Sequence, residues 1–460
     1  MIKKLRTLAL AILAFIFVIW NKDIIPVKRE ITQLQLVQSI GMDLGKNNKY
    51  KISFLSNQKA SSTAGQSSNS NGSSSSSISA SSQKLATVEA STFNSGLKNF
   101  QSVSAKYVPL SHVKYIFLGE EIAKTDFTSA IDFIARDEQA RINARIFIVK
   151  GKEAEYFFKN ATNKDYELED RLKSMEEDAV LESVVTPIDI LDVIDMMVSD
   201  NSAGVIPALR IISAEDKNEE QSKKESSNND KDEKKNSEQN TAENKESKND
   251  NGQLGEIKGG IENNKNDKIT VNMNIGNQKE NLFDYEGYAV IKDRKLVGYL
   301  SKDESIIYNM LIGKFENTTV NITDEDNQSM SFGLKDSNTK INFDFEDKHL
   351  KNINIYMNVK ANIEEADKDE VITDIKVLQE YQDKIDEVLK KDTESLLEKI
   401  KEYDCDFINL KQKANIQHPY KFQDVENNWL EELKNANVNI KAECEIRRTY
   451  DIVNIRSEER

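Results

Sequence analysis

Residues 353–363 read INIYMNVKANI, and every second residue of this stretch is apolar. A period of two predicts a β-strand with one apolar and one polar face, which is typical of an antiparallel sheet covered on one side. Farther along, apolar residues recur three or four positions apart in a helical stripe: Val377, Leu378, Tyr381, Ile385, Val388, Leu389, Leu396 and Ile400. A helix of this length can cover the apolar face of the sheet. The C-terminal region is therefore predicted to be an antiparallel sheet packed on a long helix, which is an α+β architecture.

Three further segments of the second half alternate in the same way. They are 269–275 with Ile269, Val271, Met273 and Ile275, then 341–345 with Ile341, Phe343 and Phe345, and finally 438–446 with Val438, Ile440, Ala442, Cys444 and Ile446. Each segment predicts another strand of the C-terminal region.

The first half of the chain alternates short apolar runs with helical stripes, which predicts a mixed α/β region. The predicted strands cover 50–54, 115–118, 146–149 and 205–212, with Ile142 in a further strand and a turn region at 41–48. The predicted helices cover 93–100, 120–135 and, directly after Pro187, 188–197.

Two polar runs interrupt the chain of 460 residues. Ala60–Ser82 holds 13 Ser among 23 residues, which predicts a flexible loop. Glu215–Gln253 has Ala242 as its only apolar residue, so this run cannot contribute to a core and is predicted to be disordered. The predicted division of the chain is an N-terminal domain over 28–213 with the Ser-rich loop at 60–82, a disordered polar insertion over 214–266, and a C-terminal domain over 267–460.

The composition excludes several classes of function. The formal net charge is −15, whereas nucleic acid is bound by Lys and Arg that displace counterions from phosphates, so no nucleic-acid partner is expected. Three His leave little room for a catalytic cluster based on histidine or for a zinc site, and two Cys allow at most one disulfide bridge. The motifs of phosphate-binding loops, dinucleotide folds, serine hydrolases and zinc proteases do not occur.

The N-terminus predicts the compartment. Lys3, Lys4 and Arg6 precede the apolar run TLALAILAFIFVIW at 7–20, and basic residues of this kind stay on the cytoplasmic side of a membrane. The run is shorter than the roughly 20 residues of a full span, and its end is bulky where a cleavage site would have small residues. We therefore expect residues 1–20 to be an uncleaved signal segment or short membrane anchor, with the rest of the chain extracytoplasmic. A signal-peptide core and a buried N-terminal helix are the alternatives.

Few residues are candidates for chemistry. Residues 324–328 open like a calcium-binding loop, but Ser329 and Lys335 stand where that loop needs a Gly and a bidentate Glu, so no calcium site is predicted. His112, His349 and His418 lie in three different regions, where single histidines are usually surface or hydrogen-bonding residues. No catalytic, cofactor-binding or metal-binding residue is predicted, and no cofactor is expected.

The two cysteines leave two alternatives open. Cys405 and Cys444 both lie in the C-terminal part, and Cys444 falls on the apolar face of its predicted strand. In an oxidising compartment they pair if their segments are adjacent. Otherwise they are two separately buried thiols, because Cys often behaves as a small apolar residue.

Several segments, read in order along the chain, resemble the Ger(x)C spore germination family, the C subunit of nutrient germinant receptors in endospore-forming bacteria. They are REI at 29–31 with IGMD at 40–43, LSHVKYIFLGEEI at 110–122, DFIARD at 132–137, NARIFIVKG at 143–151, Thr186-Pro187, Ile206-Pro207, YEGYAV at 285–290, KLVGYL at 295–300 with Glu304, Trp429, and IRRT at 446–449. The chain departs from the family in two places. It has no Cys before Cys405 that could carry a lipid, and Tyr450 stands where the family usually has Gly.

The resemblance implies a non-enzymatic protein on the outer face of the spore inner membrane. It also implies assembly with two integral-membrane subunits, in a complex that binds and responds to amino acids or similar nutrients. The sequence leaves two other functions open: an anchored scaffold or binding protein of the cell envelope, and an extracellular hydrolase that uses a pair of carboxylates.

Overall fold

The structure of the chain is a computed structural model that describes residue 6 and residues 30–58, 82–162, 167–199, 203–212, 282–323, 329–366 and 375–447. Five sequence predictions lie outside these residues: the apolar N-terminal run, most of the Ser-rich loop, the polar insertion at 214–266, the strand at 269–275 and the calcium-like segment at 324–328.

The described residues form two β-sheets. The strands are β1 (Val37–Leu44), β2 (Tyr50–Gln58), β3 (Ser82–Ala90), β4 (Tyr115–Gly119), β5 (Arg145–Val149), β6 (Ala203–Ile212), β7 (Leu282–Lys292), β8 (Lys295–Leu300), β9 (Asn317–Thr323), β10 (Ser329–Glu346), β11 (His349–Ala366) and β12 (Asn437–Arg447).

Helices cover both faces of the first sheet and one face of the second. They are α1 (Phe93–Ser104), α2 (Glu120–Ala123), α3 (Thr128–Arg136), α4 (Ala154–Ala161), α5 (Leu168–Leu181), α6 (Ile190–Val198), α7 (Lys302–Ile312), α8 (Ile375–Tyr403), α9 (Leu410–Gln417), α10 (Pro419–Phe422) and α11 (Trp429–Asn435).

The first sheet has eight strands in the order β3-β2-β1-β4-β5-β6-β7-β8. Its centre, β1-β4-β5-β6, is parallel, and the hairpins on both sides are antiparallel. Alternate residues of a central strand face opposite ways, so Ile116 and Leu118 pack toward α1 and α3 whereas Phe117 packs toward α4. Strands β7 and β8 follow the polar insertion in sequence and complete this first sheet. In sequence, the change from the first sheet to the second therefore falls after Leu300. The predicted domain boundary at 267 stays a prediction.

The second sheet has the order β12-β11-β10-β9. Strands β9, β10 and β11 are antiparallel, as predicted, but β12 runs parallel to β11, with Ile355 opposite Ile440. The long helix α8 lies between β11 and β12 in sequence and supplies the crossover that a parallel pair requires. The predicted α+β class is confirmed, with one parallel strand added at the edge of the predicted antiparallel sheet.

One hydrophobic core joins the two sheets. Phe117 and Phe147 of the first sheet belong to the same buried cluster as Phe343 of the second sheet and Leu396 of α8. A second cluster fills the opposite face of the first sheet. The described parts of the two sheets are thus held together by a continuous apolar interior rather than by a polar contact alone.

Three local predictions of the first half are corrected. The predicted turn region at 41–48 is strand as far as Leu44, because β1 pairs with β2 on one side and β4 on the other, and only Lys46–Asn48 turns. The predicted helix at 120–135 is two helices, because residues 124–127 are not helical and the second helix begins at Thr128, whose backbone N–H is bonded to Asp126. Ile142 lies in an exposed loop, outside β5.

Candidate functional site

Motif residues from the two halves of the chain meet in a buried polar network. Tyr288 of β7 is fully buried, and its hydroxyl accepts the backbone N–H of Thr186 at 2.5 Å. The same hydroxyl donates to Oδ1 of Asn309 at 3.1 Å, and the Asn309 amide donates to the carbonyl of Ser183 at 2.7 Å. Burial raises the pKa of Tyr288, so its hydroxyl stays protonated. The network fixes the segment after α5 against β7 and α7.

A second polar cluster joins β4 to β8. The carboxylate of Glu120 accepts the hydroxyl of Tyr299 at 2.9 Å, the backbone N–H of Gly151, and the ammonium of Lys124 at 2.8 Å. Burial by itself raises the pKa of Glu120, but these three donors lower the pKa below its ordinary value. The carboxylate is therefore ionised, and its bonds to three donors suit a structural role.

Two further motif carboxylates cap helices. Asp43 of β1 accepts the first two N–H groups of α4, from Ala154 at 2.6 Å and Glu155 at 3.0 Å. Its burial raises its pKa to about 6, although the two backbone hydrogen bonds act in the opposite direction. Glu304 closes the capping box of α7 with Ser301 and also accepts the hydroxyl of Ser395 on α8 at 2.9 Å. Both side chains are engaged in holding elements together.

The sequence-predicted motif residues thus serve the fold, and the open surface lies elsewhere. A cleft of about 620 Å³ separates α6 from the segment 407–426. Its apolar lining includes Met196, Tyr308, Phe407 and Phe422. Among the described residues, its charged lining is Asp192, Asp195 and Glu426 against a single cation, Lys411. The cleft therefore combines apolar side chains with an acidic character.

Exposed apolar side chains occur on the same elements that line the cleft. Val198 at the end of α6 is 80 % exposed, Ile416 of α9 is 74 % exposed, and Tyr420 of α10 is 87 % exposed. Ser199 and Asn415, the chain neighbours of Val198 and Ile416, line the cleft itself. We call α6, α9 and α10 with this cleft the cleft face. Val198, Ile416 and Tyr420 lie outside the lining of the cleft, on the helices that contribute to it.

The sequence did not predict the cleft face. Helix α6 was predicted, but nothing in the local sequence distinguishes the exposed Val198 from an apolar residue of the core. Ile416 and Tyr420 lie in a short, weakly patterned segment, and the cleft depends on residues more than 200 positions apart, such as Asp195 and Lys411.

The histidines remain in three separate places. His349 bonds to Glu432 at 2.9 Å, His418 packs edge-on against Phe345, and His112 is exposed in a single turn of 3₁₀-helix. In the described part of the chain, no three His, Cys, Asp or Glu side chains are grouped closely enough to hold a metal ion.

The two cysteines are separate buried thiols. The sequence left a disulfide bridge and two separately buried thiols as alternatives, and the structure has the two separate thiols. Cys405 follows α8, whereas Cys444 lies on β12 against that helix, and burial raises the pKa of each thiol to about 12.

No helix among the described residues is both long enough and apolar enough to cross a membrane. The apolar run at 7–20 lies outside those residues.

Two family models match the chain. The model described as "Spore germination protein N-terminal domain" matches residues 27–211, and "Spore germination B3/ GerAC like, C-terminal" matches residues 286–450. The chain is similar in fold to a solved structure titled "Crystal Structure of the GerBC protein", with 16 % sequence identity, a TM-score of 0.50, and coverage of 91 % of this chain and 99 % of that one. No curated protein sequence matches the chain.

Proposed function

Because the chain belongs to the Ger(x)C family of spore germination proteins, we propose that it is a non-catalytic C subunit of a nutrient germinant receptor that works by contact with membrane-embedded partner subunits. The observation that carries the proposal is the match of both family models, in order, to the two parts of one chain. These parts share an eight-stranded sheet, because β6 from the first matched part pairs with β7, most of which lies in the second.

The rigid junction of the two parts supports a role in transmitting contact. The Tyr288 network and the Glu120 cluster each connect a residue of the first matched part with a residue of the second. We therefore expect the two matched parts to move together as one rigid unit when a partner subunit binds to their surface. Its motif residues are then selected for holding the unit together rather than for bond chemistry.

The cleft face is the surface that we propose for the partner. Its exposed Val198, Ile416 and Tyr420 suit apolar side chains, and the excess of carboxylates over cations in the cleft suits a Lys or Arg on the partner. The expected occupant is an extracytoplasmic segment of an integral-membrane subunit with a basic and an apolar residue close together. The proposal includes two such subunits, with the germinant bound by the complex.

The proposed location is the outer face of the spore inner membrane. The apolar run at 7–20 after Lys3, Lys4 and Arg6 supports a tether there, with the described body on the extracytoplasmic side.

Deletion of the gene tests the receptor function. In the bacterium that encodes the chain, we expect the deletion to leave spore formation normal and to abolish the germination response to nutrients, with full-length chain restoring it. Defective spores before any nutrient is added would instead favour the envelope scaffold. Release of products from cell-wall or peptide substrates by the purified full-length chain would favour the hydrolase.

A surface variant tests the cleft face. The triple variant Val198→Ser, Ile416→Ser, Tyr420→Ser changes exposed groups only, so the thermal midpoint should stay within a few degrees of wild type. We expect this variant to lose co-purification with the membrane subunits and the nutrient response. Val103→Ser, a change of an 86 % exposed side chain on α1, is the matched control and should keep both. Equal behaviour of the two variants would place the contact elsewhere.

A further inference from the structure

The outward face of the second sheet is open to solvent in the described part of the chain. Inward residues of β11, such as Ile355 and Met357, belong to the core under α8, whereas the residues that alternate with them are exposed or half-buried. The outward residues at the centre of this sheet include six asparagines on three adjacent strands, with one tyrosine among them. We call this group the amide face: Asn342, Asn352, Asn354, Asn358, Asn437, Asn439 and Tyr356.

The asparagines of the amide face form rows across the strands. Asn354 of β11 lies opposite Asn342 of β10 on one side and opposite Asn439 of β12 on the other. In the next row, Asn352 lies opposite Asn437. Neighbouring strands are about 5 Å apart, and successive outward residues of one strand are about 7 Å apart. The backbone therefore fixes a regular array of amide groups.

Only part of the hydrogen-bonding capacity of these amides is used within the chain. The amide of Asn439 donates to Oδ1 of Asn354 at 2.9 Å, and the amide of Asn354 donates to the carboxylate of Asp344 at 2.8 Å. The side chains of Asn342 and Asn358 are exposed and form no hydrogen bond with any described residue. Each Asn side chain offers two donors and one acceptor, so the array matches groups that both donate and accept, such as hydroxyls.

An aromatic ring lies among the amides. Tyr356 is 41 % exposed, with Lys340 and Lys441 as its cross-strand neighbours and with Asn354 and Asn358 as the nearest outward residues of its own strand. Its ring points away from the core and contributes nothing to core packing. A ring with one apolar surface and a polar hydroxyl is well suited to contacts at a partly wet interface, including the apolar C–H face of a sugar ring.

The charges around the ring balance one another. Lys441 forms an ion pair with Glu443 at 2.5 Å. Lys340 forms no ion pair with a described residue, but Asp344 on the same strand has the opposite sign and accepts only amide donors from described residues. The face therefore carries no net charge in a chain whose formal charge is −15, and it favours an uncharged occupant over an ionic one.

We propose that the amide face binds an uncharged, extended polysaccharide whose hydroxyl or acetamido groups form hydrogen bonds with the asparagines and one of whose sugar rings packs on Tyr356. An open array without pocket walls suits a long chain that makes several weak contacts, because a small molecule needs a concave site to bury its surface. The proposal goes beyond the receptor function and does not rest on it, since it follows from side chains of the second sheet alone.

Ligand-observed NMR on the purified full-length chain tests the amide face. The neutral probes are cellotetraose and chitotetraose, and the anionic probe is inorganic polyphosphate. We expect at least one neutral tetrasaccharide to bind, and to bind more tightly than polyphosphate. Absence of binding by both tetrasaccharides at millimolar concentration overturns the proposal. Tighter binding of polyphosphate than of either tetrasaccharide overturns it in favour of a surface for anionic polymers.

Replacement of the exposed ring places the tetrasaccharide on this face. Tyr356→Ser should weaken binding roughly tenfold, because aromatic side chains contribute strongly to contact surfaces. Tyr156→Ser, which removes a 38 % exposed ring from α4, is the matched control and should leave binding unchanged. Equal affinity of the two variants overturns the proposal. A dimer in solution that Tyr356→Ser dissociates also overturns it, since a second copy of the chain would then cover the face.

A second pair of variants tests the amides without the ring. The double variant Asn342→Ala, Asn358→Ala changes exposed side chains that have no partner among the described residues, so the fold should be retained. We expect it to weaken tetrasaccharide binding roughly fivefold through the loss of hydrogen bonds to the ligand. The control double variant Asn94→Ala, Asn99→Ala removes two exposed amides from α1 and should bind like wild type. Wild-type affinity in the first double variant, at wild-type stability, overturns the role of the asparagines.

Discussion

The hydroxyl of Tyr299 donates to the carboxylate of Glu120 at 2.9 Å, across 179 positions of the sequence. Glu120 begins α2 directly after β4, at the centre of the first sheet, and Tyr299 lies on its edge strand β8. The hydroxyl of Tyr403 at the end of α8 donates in turn to the carbonyl of Tyr299 at 3.1 Å. This chain of contacts connects the first sheet to the long helix that covers the second.

Replacement of Tyr299 by Phe should therefore weaken the fold. The substitution removes one hydrogen bond to a charged carboxylate and leaves the ring in place, so we expect the free energy of unfolding to fall by about 1–2 kcal/mol. Chemical denaturation of the purified full-length chain measures the loss. Tyr420→Phe removes a solvent-exposed hydroxyl and should change stability by less than about 0.5 kcal/mol. Equal losses in the two variants would show that the bond to Glu120 contributes nothing.

Gly287 is required for steric reasons. It has φ +122°, and a Cβ at this position would lie 2.4 Å from the carbonyl oxygen of Leu300 and 2.6 Å from Oγ of Ser305. We expect Gly287→Ala to lower the stability of the full-length chain by about 3 kcal/mol or more, since backbone strain and overlap with fixed atoms add.

Gly313 is a control with backbone strain but without close contacts. It also has a positive φ, +76°, but a Cβ added there would meet no atom of a described residue within 4 Å. Gly313→Ala should therefore cost only about 1 kcal/mol of backbone strain in the same denaturation experiment. If both variants lose the same amount, the close contacts of Gly287 are not important for stability.

Asp386 makes stability depend on pH. This half-buried carboxylate of α8 accepts the backbone N–H of Cys444 at 2.7 Å, and burial raises its pKa from 3.8 to about 6. A pKa that is higher in the folded state favours folding fully below pH 4, and this contribution disappears as the pH rises through 6. Asn at this position accepts the same N–H without a charge. Asp386→Asn should thus be more stable than wild type by up to about 1 kcal/mol at pH 7.5, after allowance for solvent screening.

The difference between this variant and wild type should disappear below about pH 3, where the carboxyl of Asp386 is protonated in both the folded and the unfolded state. Thermal midpoints measured from about pH 3 to pH 8 check the sign. Glu387→Gln, at the exposed neighbouring position of α8, should show no such pH-dependent gain. A variant that is less stable than wild type at pH 7.5 contradicts the argument.

The sequence predicted those elements whose pattern is complete within one segment. The alternation of β11 and the stripe of α8 are each readable because nearly every inward residue is apolar. Thr393 is an exception: it lies fully buried in the helix, where its hydroxyl donates to the carbonyl of Leu389 at 2.7 Å. Strand direction is not encoded in alternation, so the parallel pairing of β12 with β11 was not predictable.

The cleft was not predictable for a related reason. It needs Asp195 and Lys411 on the same lining, just as Arg145 of β5 finds its partner Glu176 on α5. Charged residues are common in this chain, so only the fold shows which of them face one another. The missed strand at Gly41–Leu44 has the same origin, because neighbours on both sides outweigh the local preference of glycine for a turn.

Asp406 is a buried carboxylate on which several hydrogen-bond donors converge. It accepts the N–H groups of Leu410 at 2.9 Å and Lys411 at 2.7 Å, at the start of α9, and Nε1 of Trp429 at 3.1 Å. Asp406→Ala leaves these donors buried without a partner and should lower the free energy of unfolding by about 3–5 kcal/mol. Asp424→Ala, which removes a surface ion pair with Lys348, should lower it by less than about 1 kcal/mol. A comparable loss at both positions in denaturant titrations would refute this role of Asp406.

Thiol counting checks the separation of the cysteines. Cys405 and Cys444 are both buried and free, and burial raises each thiol pKa to about 12. The thiolate is the reactive form, so the folded full-length chain should react with a thiol reagent only at the slow rate of its unfolding. In denaturant without a reducing agent, we expect both cysteines to react, and a Cys405→Ala variant to retain a single reactive thiol. No reaction of the denatured wild type would mean that the two are joined in a disulfide, and the arrangement of β12 on α8 would have to differ from the one described.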